Sequence, residues 1–298
     1  MARAVAAAGC AGDGEATLNS PGPVAGSANA RFPLIPPRLW AEIAACRTRL
    51  LVLDYDGTLA PLRTKRFEAR LPARVRAALE RLVASGRSQV AIVSGRSLDE
   101  LCALTAGLDI HRVAEHGWDE LPPGGEPLRR ELPARAGRAM SLADDEARAS
   151  GWTPHVERKR CSRVLHTRGL EPAAAEALQS SVGAAWRALA ARHGLVVRDM
   201  DGGLELRVPD VDKGTAVSAM IARCAPGTCV AYIGDDDTDE DAFRSVAPVG
   251  WAIRVGATER PSRANARLES VEDMGDFLVH WEVVTSAAGS IAAAPDTR

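Results

Sequence analysis

The sequence predicts a doubly wound α/β fold: a parallel sheet with helices on both faces, carrying a smaller α+β unit as an insert. Three observations point there. Short runs of branched apolar residues recur along the chain, each ending abruptly in Asp, Gly or Ser. A helix-spaced amphipathic stretch follows such runs, the alternation expected where parallel strands are buried on both faces. Between about 118 and 210 the rhythm changes to Pro- and Gly-rich loops, one long helical stretch and period-2 segments, as in a separate mixed unit. At 298 residues the chain has room for about two such units.

The first run is Leu50-Leu51-Val52-Leu53, ending in Asp54-Tyr55-Asp56-Gly57-Thr58. Val75, Ala78, Leu79 and Leu82 then recur at helical spacing, and Gly86 closes that helix. Val90 to Val93 is a second strand, ending in Ser94-Gly95-Arg96, with a helix over Leu98 to Leu104. His111 to Ala114 is a third and ends in Glu115-His116-Gly117. The insert holds a helix from Pro172 to Arg192 and alternating stretches at Arg163–His166 and Gly203–Val208. Beyond it, Lys213-Gly214 opens a helix, and Val230 to Ile233 ends in Gly234-Asp235-Asp236-Asp237-Thr238-Asp239. The Ala-, Gly- and Ser-rich ends have too few large apolar groups to offset their own ordering entropy. The expected division is a disordered leader over 1–36, a core over 37–117 and 211–282, the insert over 118–210 and a disordered tail over 283–298.

Composition excludes several classes. With 46% hydrophobic and 26% charged residues the chain can bury a core, so it is neither wholly disordered nor a disulfide mini-protein. Lys plus Arg number 37 against 39 Asp plus Glu, unlike a dedicated nucleic-acid binder. No stretch is long and apolar enough for a membrane-spanning helix. The six scattered cysteines are expected to be reduced thiols in a cytoplasmic chain, Cys224 and Cys229 included.

In a doubly wound sheet the site lies beyond the carboxyl ends of the strands, where these polar clusters fall. Asp54 and Asp56, two apart on a strand end, can reach one point. Asp54 is a nucleophile that needs no base, and Asp56 can act as acid or base. Gly57 permits a tight turn, and Thr58 offers a hydroxyl and N–H groups to an anion. The plainer reading is a turn with two solvated carboxylates. The cluster from Asp235 to Asp241 repels itself unless a cation such as Mg²⁺ is present. A helix N-terminus explains Thr238 and the acids after it, but Asp235 and Asp236 less well. Ser94-Gly95-Arg96 makes an anion cradle or an ordinary turn. Lys213 sits against the dipole of its helix, a functional position or a surface lysine.

Together, in this order, the four elements resemble the haloacid dehalogenase superfamily of phosphotransferases, with its Rossmann-like core and inserted α/β cap. More narrowly, Leu53–Pro61, Val93–Arg96, Glu115–Gly117 and Gly234–Phe243 are similar to trehalose-6-phosphate phosphatases. So are Val156-Glu157-Arg158-Lys159, His166-Thr167-Arg168 and Leu204-Glu205-Leu206-Arg207 in the insert. The resemblance implies a Mg²⁺-dependent phosphatase acting on trehalose 6-phosphate, a phosphorylated disaccharide, with another sugar phosphatase or a phosphosugar mutase as the alternative. Asp54 is then the nucleophile and Asp56 the acid/base. Thr58, Ser94, Gly95, Arg96 and Lys213 hold phosphate, and Asp54, Asp56 and Asp235 hold the metal, backed by Asp236 and Asp239. Glu157, Lys159, Glu205 and His116 bind sugar. Two positions depart from the pattern: Arg160 stands where Gly is usual and Thr167 where Tyr is usual.

Overall fold

The computed structural model describes residues 31–63, 66–200, 202–257 and 261–287. The strands in chain order are β1 (Arg49–Leu53), β2 (Gln89–Val93), β3 (His111–Ala114), β4 (Asp119–Leu121), β5 (Leu128–Arg129), β6 (Val156–Arg158), β7 (Ser162–His166), β8 (Val196–Met200), β9 (Gly203–Arg207), β10 (Cys229–Gly234), β11 (Trp251–Val255) and β12 (Ala266–Leu268). The helices are α1 (Pro37–Ala45), α2 (Ala73–Ser85), α3 (Leu98–Leu104), α4 (Ala134–Ala149), α5 (Pro172–His193), α6 (Lys213–Ala222), α7 (Asp239–Val246) and α8 (Met274–Ala287).

The core sheet has the order β12-β11-β10-β1-β2-β3-β4-β5. It is parallel from β12 to β3, and β4 and β5 add an antiparallel edge. Every residue of β1 and β11 is buried, and period 2 sends alternate side chains to opposite faces. Leu51, Leu53, Ile92 and Ile233 pack with α1, α2 and α8, whereas Leu50, Val52, Val93 and Tyr232 pack with α6 and α7. The chain reverses its direction of winding between β1 and β10, and Leu53 pairs with Ile233 there. Asp54 and Asp235 therefore leave the sheet side by side, at the crevice such folds offer to ligands.

The cap is a four-stranded antiparallel sheet, β6-β7-β9-β8. Helices α4 and α5 cover one face, burying Met140, Trp186, Leu165, Leu204 and Leu206 in a core of its own. In the cross-strand register Glu157 is opposite Val164, Val164 opposite Glu205, and Glu205 opposite Arg198. Opposite residues share a face, and Arg198 reaches Asp241 of α7 at 3.0 Å. This row therefore looks toward the core.

The structure moves several expected boundaries. Phe32 and Ile35 are 4% and 2% exposed, because Phe32 packs against Trp40 and Phe277. The fold therefore begins inside the expected leader, whose residues 1–30 lie outside the described residues. At the other end α8 runs to Ala287 with Val284 and Thr285 buried, so 283–287 of the expected tail are helix, and 288–298 lie outside the described residues. The Pro/Gly stretch after β4 is a hairpin that extends the core sheet, and the cap proper starts at α4.

Cysteine chemistry is corrected too. Cys46 and Cys229, expected as free thiols, form a disulfide with Cα atoms 6.0 Å apart. Arg49 pairs with Cys229 in the β1–β10 register, which brings the end of α1 over the start of β10 despite a separation of 183 residues. Cys102, Cys161 and Cys224 are free, and Cys10 is outside the described residues. Among the described residues no helix is long and apolar enough to cross a membrane.

Candidate active site

Asp54 is buried at the end of β1, and its Oδ1 accepts a hydrogen bond of 2.8 Å from Nζ of Lys213. Lys213 begins α6, whose N-cap Asp212 accepts from Thr215 N–H. The same ammonium donates to Asp239 at 2.7 Å. Asp239 is saturated: Lys213 and the Tyr232 hydroxyl donate to Oδ1, and the backbone N–H groups of Asp235 and Asp236 donate to Oδ2. It is thus the post on which the loop after β10 is wound. Asp235 accepts from Thr58 Oγ1 at 3.0 Å. Thr58 therefore binds a neighbour that the acidic cluster supplies. Between them sits Gly57, at φ +82°, where a Cβ atom would lie 2.0 Å from Asp235 Oδ2; only glycine lets these two loops meet.

Oxygen atoms of Asp54, Asp235 and Asp239 lie within 4.8 Å of one another. Burial, followed by Asp239 and Asp236, pushes the Asp235 carboxyl up to about 7. Burial and the Asp236 charge lift Asp239 to about 6 despite Lys213, and burial lifts Asp54 well above the carboxylate range. Burial works against the Lys213 ammonium, but Asp239 and Asp54 outweigh it and hold the lysine protonated above its ordinary value. One ammonium is too little charge for the buried Asp54 and Asp239 with half-buried Asp235 beside them, so a hard divalent cation suits this set of oxygen donors. Because both oxygens of Asp239 are taken, Asp54 and Asp235 are the side chains that fit it.

Asp236 plays another part. Its Oδ1 accepts from the N–H groups of Thr238 and Asp239 and from the Thr238 hydroxyl, capping the start of α7. Burial would raise its pKa, but Lys213 and these hydrogen bonds hold it below the usual carboxylate range. The helix-terminus reading of the acidic cluster thus describes Asp236, while Asp235 faces Asp54.

Asp56 and Arg96 form a bidentate pair, at 2.6 and 2.7 Å, and the guanidinium lies 5.4 Å from the Tyr55 ring centroid. Arg96, expected on phosphate, is held on Asp56 instead. Ser94 is buried beside it, its Oγ accepting from Arg96 N–H at 3.3 Å. A Cβ at Gly95 would fall 2.6 Å from the His116 ring. His116, at φ 60°, is half-buried; desolvation of its ring, ahead of the charges of Lys159 and Lys213, lowers its pKa to about 3, so it is neutral. Its Nδ1 is buried without a partner among the described residues.

The cap residues approach from above. Lys159 Nζ donates to the Gly95 carbonyl at 2.7 Å, joining the cap to the second core motif. Glu205 is buried, and although burial opposes ionisation, the charges of Lys159 and Arg207 help hold its pKa below the usual value. Glu157 pairs with His166 at 2.8 Å and borders a cleft of about 410 Å³ with Lys159 and His166. The structure therefore brings Lys159, Glu205 and His116 together over Gly95 and places Glu157 on the wall of the cleft.

Both departures lead into scaffold. Arg160 binds Asp119 and the Arg130 carbonyl, and Thr167 is buried under Gln179. Two residues that carry no role in the sequence reading stand out. Tyr232 steadies Asp239, and the one hydroxyl in an apolar strand was the available signal. Glu115 accepts from the N–H groups of Arg160 and Cys161, both at 3.0 Å, and so ties the cap turn to the core. Its partners lie 45 and 46 residues away, beyond any local pattern.

The trehalose-phosphatase family model matches residues 52–272, which span both core halves and the cap. The chain belongs to the trehalose-phosphatase family. It is 35% identical over 229 residues to a trehalose-phosphate phosphatase of Mycobacterium marinum, covering 74% of this chain and 57% of that one. It is 32% identical over 222 residues to a bifunctional trehalose-6-phosphate synthase/phosphatase of Thermoproteus tenax, covering 74% and 30%. The chain thus spans less than two thirds of the length of these relatives. Among solved structures, the Candida albicans trehalose-6-phosphate phosphatase C-terminal domain shares the fold, with a TM-score of 0.73 at 21% identity over 84% of this chain and 96% of that one. A haloacid dehalogenase-like hydrolase from Bacillus subtilis does so at 0.54 and 14% identity, over 78% and 98%. Membership of the family agrees with the resemblance drawn from the motifs.

Proposed function

We propose that this protein is a Mg²⁺-dependent phosphatase that hydrolyses trehalose 6-phosphate to trehalose and phosphate through a phosphorylated Asp54. The observation that carries the reading is the buried Lys213 ammonium clamped between Asp54 and Asp239, with Asp235 level with Asp54 across the β1–β10 crevice. A carboxylate there meets an anionic substrate only with cations beside it, and phosphoryl transfer depends mainly on positioning and charge.

Asp54 and Asp235, with the backbone carbonyl of Asp56, would hold Mg²⁺, which when bound supplies the positive charge that offsets the substrate's and relieves these carboxylates. Asp54 attacks phosphorus in line, and the bond to the sugar C6 oxygen breaks. Asp56 leaves Arg96, takes up a proton from solvent water and donates it to that oxygen; the carboxylate so regenerated then takes a proton from the water that cleaves the aspartyl-phosphate. Lys213, the Ser94 hydroxyl and nearby N–H groups hold the phosphoryl oxygens. The sugar outside the phosphorylated ring meets Glu157, Lys159, Glu205 and neutral His116, groups that form strong bonds to hydroxyls. Closure of the cap over the site shields the acyl phosphate.

The test is phosphate release from trehalose 6-phosphate beside glucose 6-phosphate and sucrose 6-phosphate, with and without Mg²⁺. Release that is fastest from trehalose 6-phosphate and dependent on Mg²⁺ supports the reading; preference for another sugar phosphate, or transfer to sugar rather than water, contradicts it.

A further inference from the structure

The turn after the first motif presents a side chain to which the chemistry above gives no part. Phe67 lies in a short 3₁₀ turn, Arg66–Glu68, and is 70% exposed. Ala69 and Leu71, just after it, are 1% and 8% exposed and belong to the main core. The Tyr55 hydroxyl, from the residue between Asp54 and Asp56, donates to the Ala69 carbonyl at 2.8 Å. The turn that carries Phe67 is therefore tied to the loop that carries the nucleophile.

Phe67 lines the cleft of about 410 Å³ together with Ser97, Glu157, Arg158, Lys159 and His166. One wall comes from the core, the other from the β6–β7 arm of the cap. Lys159 joins this cleft to the phosphate cradle through the Gly95 carbonyl. The rest of the lining is almost wholly hydroxyl, carboxylate and cationic. An apolar phenyl ring set among such groups matches the two-sided chemistry of a pyranose, whose hydroxyl rim seeks polar partners and whose C–H face seeks an apolar one.

We propose that Phe67 is a specificity-determining residue: its ring is the platform on which the C–H face of the unphosphorylated sugar of a disaccharide phosphate rests, while the cap groups take its hydroxyls. This rests on the function proposed above and deepens it, because the platform touches only the part of the substrate remote from phosphorus. Substrates without a second ring gain nothing from it.

The experiment compares wild type, Phe67→Ala and Phe67→Trp on trehalose 6-phosphate and on p-nitrophenyl phosphate with Mg²⁺ present. Phe67→Ala is expected to raise KM for trehalose 6-phosphate about tenfold, with kcat within about twofold and p-nitrophenyl phosphate hydrolysis unchanged. Phe67→Trp restores KM. An unmoved KM for trehalose 6-phosphate in Phe67→Ala overturns the proposal and leaves the function standing. Equal losses on both substrates also overturn it, because they mark a structural role of the turn. Wild-type protein that cleaves p-nitrophenyl phosphate but not trehalose 6-phosphate overturns the function and the platform together.

Discussion

The core and the cap handle polar groups in opposite ways. In the core, Asp54, Lys213, Asp239 and Tyr232 are all buried and locked onto one another. Their geometry is set before any substrate arrives, as electrostatic stabilisation of a transition state demands. On the cap face, Glu157 and His166 stand at the border of an open cleft and Arg158 is exposed, across from the exposed Phe67 of the core. Under the proposed function, the chemistry falls to the buried region and recognition to the open one. The links between them include Glu115 to the Arg160–Cys161 backbone, the Arg160 side chain to Asp119, Lys159 to Gly95, and Arg198 to Asp241.

If that division holds, damage in the core removes turnover on every substrate, and damage at the cap or the link depends on the substrate. The largest effect is expected for Asp54→Asn. It keeps the size of the side chain and removes the nucleophile, so kcat should fall by about a thousandfold or more on trehalose 6-phosphate and p-nitrophenyl phosphate alike, with an unchanged circular dichroism spectrum. Lys213→Met follows. Removing one partner of a buried ion pair leaves carboxylates uncompensated, so stability in urea should drop by about 3–5 kcal/mol along with the activity. An equally stable Lys213→Met protein would show that the lysine is not the charge on which the core depends.

Glu115→Ala sharpens the comparison at the link. It leaves two backbone N–H groups of the cap turn without their acceptor, a cost of about 1–3 kcal/mol. We expect kcat/KM for trehalose 6-phosphate to fall about tenfold while p-nitrophenyl phosphate hydrolysis changes little. A uniform loss on both substrates would place Glu115 with the core chemistry. The smallest effect is a pH dependence inside the cap. Asp144 lies on α4 and accepts a bidentate bond from Arg163 of β7. Burial would raise its pKa, but Arg163, first by hydrogen bonding and then by charge, with Arg158 and Arg148, holds it below the ordinary value. A folded-state pKa below the unfolded one gives stability that is present above the unfolded value near 3.9 and lost as pH falls through the folded one. Wild type should therefore be more stable than Asp144→Asn at neutral pH, and thermal melts of the two should converge in acid.

How far the sequence could be read follows the same boundary. The core was legible because each site residue follows an apolar run that marks a buried strand, and parallel strands deliver their ends to one edge. β1, β2, β3 and β10 and helices α2 and α3 stand where the periodicity puts them. α8 escaped notice because it is apolar around much of its circumference, so it shows no amphipathic stripe. Phe32 escaped as an isolated ring in a Gly- and Ala-rich context. In the cap, the charge run Glu157-Arg158-Lys159-Arg160 reads as a solvated face, yet its members diverge: Lys159 turns to Gly95, Arg160 to Asp119, and Glu157 to His166. No spacing rule separates them, because their partners come from distant elements. The Cys46–Cys229 bridge was hidden for the same reason.

The account turns on Asp54 carrying the phosphoryl group, and this can be caught directly. Protein mixed with trehalose 6-phosphate and Mg²⁺, quenched in acid within one turnover and digested, should yield a peptide spanning Asp54 that is heavier by one phosphoryl group, and Asp54→Asn protein should not. Phosphate released at full rate while the Asp54 peptide stays unmodified at every quench time, or the added mass appearing on a peptide without Asp54, would contradict it.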